Sequence, residues 1–544
     1  MDQVTRATIR VLVFILVSAS LMSGKEPSGL SIPLFRQHLD VLGSDRLNGR
    51  GTGTEGELMA ARYIAQMLRN SGVKAGVGDD NYFQLIPMQG SRISAESKLT
   101  VHFSDIKVDL LLQKDYLVDN AGGLDFFAQP VEMVFVGYGI VAPEFDYSDY
   151  QGIDIRGKIA VYLDGEPESD DESFFFGNMR TIYSYPEAKQ RIAQSRGALA
   201  TILIPAKSDE QNWAKWQRSF GFEEVKLAYS AAEILSLIVP ANVAGTFFRE
   251  AGFSLQEAFD FKARGDMRSF PLNSSLHFSG EFSRREFNAR NVAGMIPGRN
   301  SRLRDEFLLL SAHYDHLGVG SAIDGDSIYN GVFDNAAGVA AVLELARLFA
   351  ENPPEKSVLF LFVTGEERGL LGSSYYVDHP IVPLFKTIAN VNVDGISMFE
   401  QLREVLGVGS GLSSLSDYLM ASAHAMDMSV GSIPDGFSIL ENFARSDQIS
   451  FARAGVPAIL VVEGNKYVST PDVDAVRRMQ TWAQTIYHTP FDDLSQSVNY
   501  AAVEQHVLLL EHLCRALTNS KEPIVWNSDV RYRVERYRTR AERR

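Results

Sequence analysis

The chain has 544 residues, a formal net charge of -16, and 45% hydrophobic against 22% charged residues. This composition excludes a disordered or fibrous chain, and the length predicts about two to four globular units. The acidic balance, without a broad basic face, argues against nucleic acid as a partner. The only cysteine, Cys514, excludes an intrachain disulfide and is expected to be a buried core thiol.

The first 24 residues have the order of a secretory signal peptide. Arg6 and Arg10 precede an apolar run at residues 11–22, and the small or polar residues Ser23 and Gly24 follow it. The run is shorter than the about 20 residues that a membrane span needs, although an uncleaved anchor is the alternative. We expect a secreted or periplasmic protein with no stable membrane span after signal cleavage.

The rest of the chain is predicted to be an α/β domain interrupted by a β-rich insertion. A helical pattern covers about residues 32–88, in a first domain segment at residues 25–94. Short β-rich runs then fill the insertion, residues 95–287. In residues 288–522 apolar strands alternate with amphipathic helices, which is typical of a mainly parallel central sheet flanked by helices. The Arg-rich tail, residues 523–544, is expected to be solvated or frayed.

Side chains that bind metals follow the ends of successive predicted strands. His313 and Asp315, in S-A-H-Y-D-H-L-G, follow the strand F-L-L-L and share one face of the extended chain. We interpret His313 as a metal ligand and Asp315 as the acceptor for its second N–H. His316 is an alternative ligand, although its side chain should point the opposite way from that of His313.

Three further segments add carboxylates. Asp334, in N-G-V-F-D-N-A-A-G, precedes a long helix, where it either caps the helix or bridges two cations. Glu366 and Glu367 follow the strand V-L-F-L-F-V-T, where adjacent acids are costly unless a metal stabilises them. Glu367 is interpreted as a ligand and Glu366 as a general base, with two exposed loop acids as the alternative. Asp394 ends another strand, in A-N-V-N-V-D-G.

His488, in the turn-rich loop T-I-Y-H-T-P-F-D-D, completes the candidate ligands, although such a histidine alone is usually an ordinary loop residue. Ligands gather outside the carboxyl ends of strands in open α/β sheets, so we expect these groups at one edge. Two histidines, three carboxylates and a spare glutamate suit two zinc ions that share a bridging carboxylate and leave a position for water.

The segments H-Y-D, F-D-N-A-A-G, G-E-E-R-G-L-L-G-S, N-V-D and Y-H-T-P together resemble peptidase family M28, the zinc aminopeptidases. L-N-G-R-G-T-G-T-E-G-E and F-A-R-S-D-Q-I-S-F-A-R-A-G-V-P-A resemble further family segments, with Gln448 where the family usually has His. The resemblance covers nearly the whole mature chain. Residues 95–287 are similar to the protease-associated domain that several relatives carry.

The resemblance implies how two zinc ions divide the ligands. One zinc would be held by His313 and Asp394, the other by Glu367 and His488, and Asp334 would bridge the two.

The resemblance also implies roles beside the metals. Glu366 would be the general base, Asp315 would orient His313, and Asp447 would be a structural acid behind the ligands. Tyr487 matches a tyrosine that in some relatives donates to the tetrahedral oxyanion, and a packed aromatic ring is the alternative.

The activity implied is that of an aminopeptidase acting on peptides. A carboxypeptidase on the same fold is the main alternative, because Arg368 or Arg445 could bind a terminal carboxylate, although both are more simply interpreted as solvated loop residues. A single-zinc glutaminyl cyclase and a non-catalytic binding protein are further alternatives.

Overall fold

The computed structural model describes residues 29–542 except 124, 172, 178–179, 207–208, 231–232, 433–442 and 529. The predicted signal peptide lies outside the described residues. Among those described, no helix has the length and apolar character to cross a membrane.

The secondary structure alternates between strands and helices, numbered here in chain order. The strands are β1 Lys74–Ala75, β2 Phe83–Ile93, β3 Lys98–His102, β4 Lys107–Leu110, β5 Leu117–Asn120, β6 Val131–Val136, β7 Val141–Ala142, β8 Tyr147–Ser148, β9 Ile159–Leu163, β10 Ala200–Ile204, β11 Glu224–Leu227, β12 Leu235–Ile238, β13 Ser269–Ser279, β14 Phe282–Ile296, β15 Phe307–His313, β16 Gly318–Ile323, β17 Asp326–Tyr329, β18 Ser357–Val363, β19 Thr387–Asn392, β20 Glu404–Val408, β21 Ser429–Gly431 and β22 Ala458–Glu463. The helices are α1 Ile32–Leu42, α2 Glu55–Asn70, α3 Pro186–Ser195, α4 Glu210–Ser219, α5 Ala241–Ala244, α6 Leu255–Arg264, α7 Ala337–Glu351, α8 Leu371–Asp378, α9 Leu415–His424, α10 Gln448–Arg453, α11 Asp472–Thr485, α12 Tyr500–Asn519 and α13 Tyr532–Ala541.

A ten-stranded sheet carries the strands whose ends bear the predicted ligands. Its order is β11-β2-β14-β18-β15-β19-β22-β20-β21, with β1 beside β14. The central strands β18, β15, β19 and β22 are parallel, which confirms the predicted fold class, whereas β14, β2 and β20 pair antiparallel at the flanks. Alternate residues of β15 enter two cores on opposite faces, Leu308 the core that includes α7 and Leu309 the core that includes α10, which is why the strand is apolar throughout.

An eight-stranded sheet, β4-β3-β13-β6-β9-β10-β12-β5, makes up most of the insertion. The chain enters it from β2 and leaves it into β14, and these long strands pair antiparallel along their length, so the insertion's two ends are neighbours. Residues 83–88, expected to be helical, lie in β2. Their burial alternates, with Ile86 and Met88 buried and Leu85 exposed, and this two-residue period belongs to a strand.

The Arg-rich C-terminal end is a packed helix, so the expectation of a solvated tail is wrong for α13. Tyr532, Arg536 and Thr539 of this helix are buried. The Arg536 guanidinium donates to the carbonyl oxygens of Leu384 and Thr387 at 3.0 and 2.7 Å. A buried arginine therefore satisfies carbonyl groups beside the start of β19, a role that its local sequence does not reveal.

One prediction concerns His506 of α12, which is buried and whose Nδ1 accepts the Ser397 N–H at 3.0 Å. Burial lowers the pKa of His506 from 6.5 to about 4. The unfolded chain therefore takes up this proton first, and stability present above the unfolded pKa is lost as the pH falls through the folded value. We expect this group to remove about 2 kcal/mol of unfolding free energy between pH 7.5 and pH 5. Urea denaturation of His506→Gln should show a smaller loss over this interval, and an equal loss in both proteins would refute the assignment.

Candidate metal centre

The five predicted ligands lie together at the carboxyl edge of the parallel strands. His313 Nε2 lies 3.1 Å from Asp334 Oδ1 and 3.2 Å from Asp394 Oδ1. His488 Nε2 lies 3.2 Å from Asp334 Oδ2 and 3.3 Å from Glu367 Oε2. Asp334 thus directs one oxygen to each histidine and joins the two groups.

These separations fit a pair of cations. With zinc–ligand bonds of about 2.0–2.1 Å, two ligand atoms of a tetrahedral site lie roughly 3.3 Å apart. The four distances at the centre, 3.1 to 3.3 Å, match this spacing. Two triads of potential ligands share Asp334: His313 and Asp394 complete one, and His316 and Glu367 complete the other.

The carboxylates of the centre also favour the presence of positive charge beside them. Burial raises the pKa of the Glu366 carboxyl well above its usual range. Burial alone would lower the pKa of His488, but the carboxylates of Glu367 and Asp334 outweigh it and raise this pKa to about 10. The pKa of His313 is raised in the same way, chiefly by Glu366 and then Asp394. A divalent cation at this centre would supply the charge that protonated histidines otherwise provide.

Asp334 does not cap helix α7. It lies in an irregular turn, Val332–Ala336, and α7 begins only after Ala336, so the helix-cap alternative is wrong. The carboxylate of Asp492 accepts the backbone N–H groups of Phe333 and Asp334 at 2.9 and 3.0 Å. Asp492 was not predicted from the sequence, although the segment F-D-D that follows Y-H-T-P was its signal. One loop therefore contains both His488 and the residue that holds the backbone of Asp334.

Asp315 supports both His313 and the Glu366 loop. The Asp315 carbonyl oxygen lies 3.2 Å from His313 Nδ1, whereas its carboxylate lies 3.9 Å from that nitrogen. The carboxylate accepts the Glu366 N–H at 3.2 Å and the Thr52 hydroxyl at 2.9 Å. Its carbonyl oxygen is thus the nearer partner for His313, and its carboxylate fixes the loop that follows β18.

Arg50 was not singled out from the sequence, although it lies in the resembling stretch L-N-G-R-G-T-G-T-E. Its side chain is fully buried. The guanidinium donates to four backbone carbonyl groups at 2.5 to 2.9 Å, those of Leu42, Tyr314, Asn330 and Gly331. Arg50 therefore ties the N-terminal segment to the chain after His313 and to the turn before Asp334.

Gln448, at the start of α10, lies in a buried amide network beneath the centre. Its Oε1 accepts from Asn392 Nδ2 at 3.0 Å, and its Nε2 donates to the Phe443 carbonyl at 2.9 Å. Asn392 precedes Asp394 by two residues, so Gln448 braces the end of the strand that carries this ligand. The neighbouring Asp447 is buried as well, and burial raises its pKa to about 7.

Tyr487 packs face to face on His488, with ring centroids 3.8 Å apart and planes at 21°. Burial, followed by the charges of Asp334 and Glu367, raises the pKa of Tyr487 well above its usual range. The hydroxyl therefore stays protonated as a hydrogen-bond donor. Packing and donation, the two alternatives from the sequence, are compatible in this position.

His316 lies inside the centre, so the prediction that it points away is wrong. Its ring is fully buried, and Nδ1 lies 2.6 Å from Glu367 Oε1. Strand β15 ends at His313, and beyond it the alternation of an extended strand no longer governs side-chain direction.

Arg368, expected in solvent, contacts the insertion instead. Its guanidinium lies 5.1 Å from the ring centroid of Phe222 and donates to the Leu317 carbonyl at 3.1 Å. Phe222 precedes β11, the insertion strand that joins the large sheet. The insertion therefore contacts the residue directly after Glu367. Arg445, the other arginine considered, is exposed.

Comparisons with known proteins find a family match for the part of the chain that carries this centre. Residues 291–513 match the family model described as peptidase family M28. The chain is 26% identical over 236 residues to Aminopeptidase YwaD of Bacillus subtilis (strain 168), covering 43% of the chain and 46% of the relative. It is 35% identical over 118 residues to a probable zinc metalloprotease of Pyrenophora tritici-repentis (strain Pt-1C-BFP), covering 22% and 26%. The matched part is thus less than half of either relative.

The fold is shared with a solved aminopeptidase from Aneurinibacillus sp. strain AM-1. The TM-score is 0.57 and the identity 18%, with 92% of this chain and 97% of that chain covered. The likeness therefore extends through the insertion.

A second prediction concerns Arg50. Arg50→Met leaves buried carbonyl groups without a donor, and we expect it to lower the unfolding free energy by about 3 kcal/mol or more. Arg46→Met, a matched change at an exposed position four residues earlier, should change it by less than about 0.5 kcal/mol. Chemical denaturation measures both. Equal stability of the two variants would show that the four hydrogen bonds contribute little.

Proposed function

We propose that this chain, whose residues 291–513 match the model of peptidase family M28, is an exported aminopeptidase that uses two zinc ions to remove N-terminal residues from peptides. The arrangement of Asp334 carries the proposal, because its two oxygens face two separate histidines. A second carboxylate lies beside each histidine, Asp394 beside His313 and Glu367 beside His488. One zinc would be held by His313, Asp334 and Asp394, and the other by Asp334, Glu367 and His488. Zinc, when bound, would polarise the substrate carbonyl and lower the pKa of a water molecule.

Glu366 is proposed as the general base. It follows β18 beside Glu367, and its backbone is fixed by the bond from its N–H to Asp315. Burial raises its pKa, and a raised pKa favours the uptake of a proton by a carboxylate. Glu366 takes a proton from the attacking water and passes it to the leaving amine. The Tyr487 hydroxyl, kept protonated, donates to the oxygen that gains negative charge at the scissile carbonyl.

The charge of the centre favours attack at the amino end of a peptide. A free α-ammonium is attracted to a site rich in carboxylates, whereas a carboxypeptidase clamps a terminal carboxylate, usually with arginine. The guanidinium of Arg368 lies over the ring of Phe222 and donates to the Leu317 carbonyl, so it already has partners within the chain. Of the two arginines considered, Arg445 alone is left for the carboxypeptidase alternative.

The insertion is proposed to be a protease-associated domain that borders the cleft and restricts substrate size. Arg285 supports this placement, because its guanidinium forms a bidentate ion pair with Glu223 of the insertion at 2.7 and 2.6 Å. The same side chain donates to the Gly53 carbonyl of the first segment at 2.7 Å. These contacts hold the corner of the insertion that contains Phe222 against the N-terminal segment.

A third prediction tests the general base and the metals. Glu366→Gln should retain about two zinc ions per chain and lose roughly a hundred- to ten-thousand-fold in turnover, because only the proton carrier is removed. Asp334→Ala should lose zinc as well, since both cations share this ligand. Elemental analysis and steady-state kinetics on a peptide substrate measure both effects. Near-normal turnover of Glu366→Gln would exclude this base, and one zinc per active wild-type chain would favour the glutaminyl cyclase alternative.

A fourth prediction tests the direction of attack. A peptide with a free amino end should be shortened from that end, and its N-acetylated twin should resist, because acetylation removes the ammonium charge. Mass spectrometry of the two digests identifies the end that is shortened. Trimming of the acetylated peptide from its carboxyl end at a comparable rate would replace the aminopeptidase proposal by the carboxypeptidase alternative, with Arg445→Ala as the next variant to measure.

A further inference from the structure

His316 occupies a site that the fold builds for it. The backbone N–H of His316 donates to the Arg50 carbonyl at 3.3 Å, and the ring is fully buried. The ring lies against Gly331, where an added Cβ would come within 2.5 Å of the imidazole Cγ. Gly331 also adopts a φ of +61°, so glycine here serves both the turn before Asp334 and the space for the ring.

The ring makes one close polar contact among the described residues. His316 Nδ1 lies 2.6 Å from Glu367 Oε1 and 4.0 Å from Asp334 Oδ2. Its Nε2 is buried without a hydrogen-bond partner in the part of the chain that the structure describes. The imidazole is therefore directed at Glu367 through Nδ1 alone.

The distance from His316 Nδ1 to Glu367 Oε1 distinguishes a hydrogen bond from two ligands that share one metal ion. Ligand atoms of one tetrahedral zinc lie roughly 3.3 Å apart, as computed from bonds of about 2.0–2.1 Å. His488 Nε2 and Glu367 Oε2 meet this spacing at 3.3 Å. His316 Nδ1 and Glu367 Oε1, at 2.6 Å, are too close for it and have the length of a short hydrogen bond to a charged acceptor.

We propose that His316 is a positioning residue that donates its Nδ1–H to Glu367 Oε1 and so presents Oε2 to the cation shared with His488. This inference rests on the proposed function, because it assigns a role toward the zinc held by Glu367. It also predicts asymmetry: the zinc held by His313 and Asp394 does not depend on His316.

The test measures zinc binding rather than turnover, with His316→Phe as the main variant. Phenylalanine keeps a ring against Gly331 but offers no donor. Competition with a chromogenic chelator should show one zinc affinity reduced by about 10- to 100-fold and the other unchanged. Anomalous diffraction at the zinc edge should show reduced occupancy at Glu367 and His488 only.

Three further variants distinguish a hydrogen-bond donor role of His316 from a steric role and provide a control. His316→Asn places an amide N–H near the position of Nδ1 and should restore most of the lost affinity, which a purely steric role would not produce. His316→Gln carries its amide to the position of Nε2 and should show the selective loss even if the phenylalanine variant fails to fold. His424→Phe, at an exposed position, should leave both affinities unchanged.

The outcomes separate this inference from the proposed function. Wild-type affinity at both sites of His316→Phe, or a zinc–Nδ1 bond in the diffraction experiment, would overturn the positioning role while the zinc peptidase stands. A wild-type protein that binds no zinc would overturn the proposed function and this role with it.

Discussion

Carboxylates converge in a largely buried space at the edge of the central sheet, and the fold has to hold them there against mutual repulsion. The pKa values of His313 and His488 are raised by the four carboxylates of the centre, those of Asp334, Glu366, Glu367 and Asp394. Such a cluster is stable only if positive charge and hydrogen-bond donors compensate it. The surrounding structure holds the backbone that carries these groups, and the spacing of the candidate ligand atoms leaves room for cations to supply the charge.

The hydrogen bonds that fix the chain around Asp334 come from parts of the chain that are far apart in sequence. Arg50, near the N-terminus, ties together the chain that follows His313 and the turn before Asp334. Asp492, near the C-terminus, holds that turn through two backbone N–H groups. The centre is therefore complete only when both ends of the α/β domain are folded onto the sheet, which links the stability of the domain to the geometry of the candidate ligands.

The insertion is connected to the large sheet by paired strands and not by a flexible linker. Strands β2 and β14 carry the chain in and out as one antiparallel pair, and β11 returns to the edge of the large sheet. Phe222, just before β11, contacts Arg368 beside Glu367. Movement of the insertion would therefore shift the contact between Phe222 and Arg368 and with it the loop that carries the proposed base. Through this contact the insertion would affect the proposed reaction.

The sequence alone determined the parallel centre of the sheet and the residue types of the candidate ligands, because apolar strands followed by His, Asp or Glu are local patterns and strand ends share one edge. It also predicted the insertion between residues 95 and 287 as a β-rich segment. Only the tertiary structure decided the direction of His316, the carbonyl contacts of Arg50 and Arg536, and the partners of Gln448. Each of these depends on a chain segment distant in sequence, such as Gly331 against the His316 ring, and no local periodicity encodes which backbone groups a folded chain leaves in need of a partner.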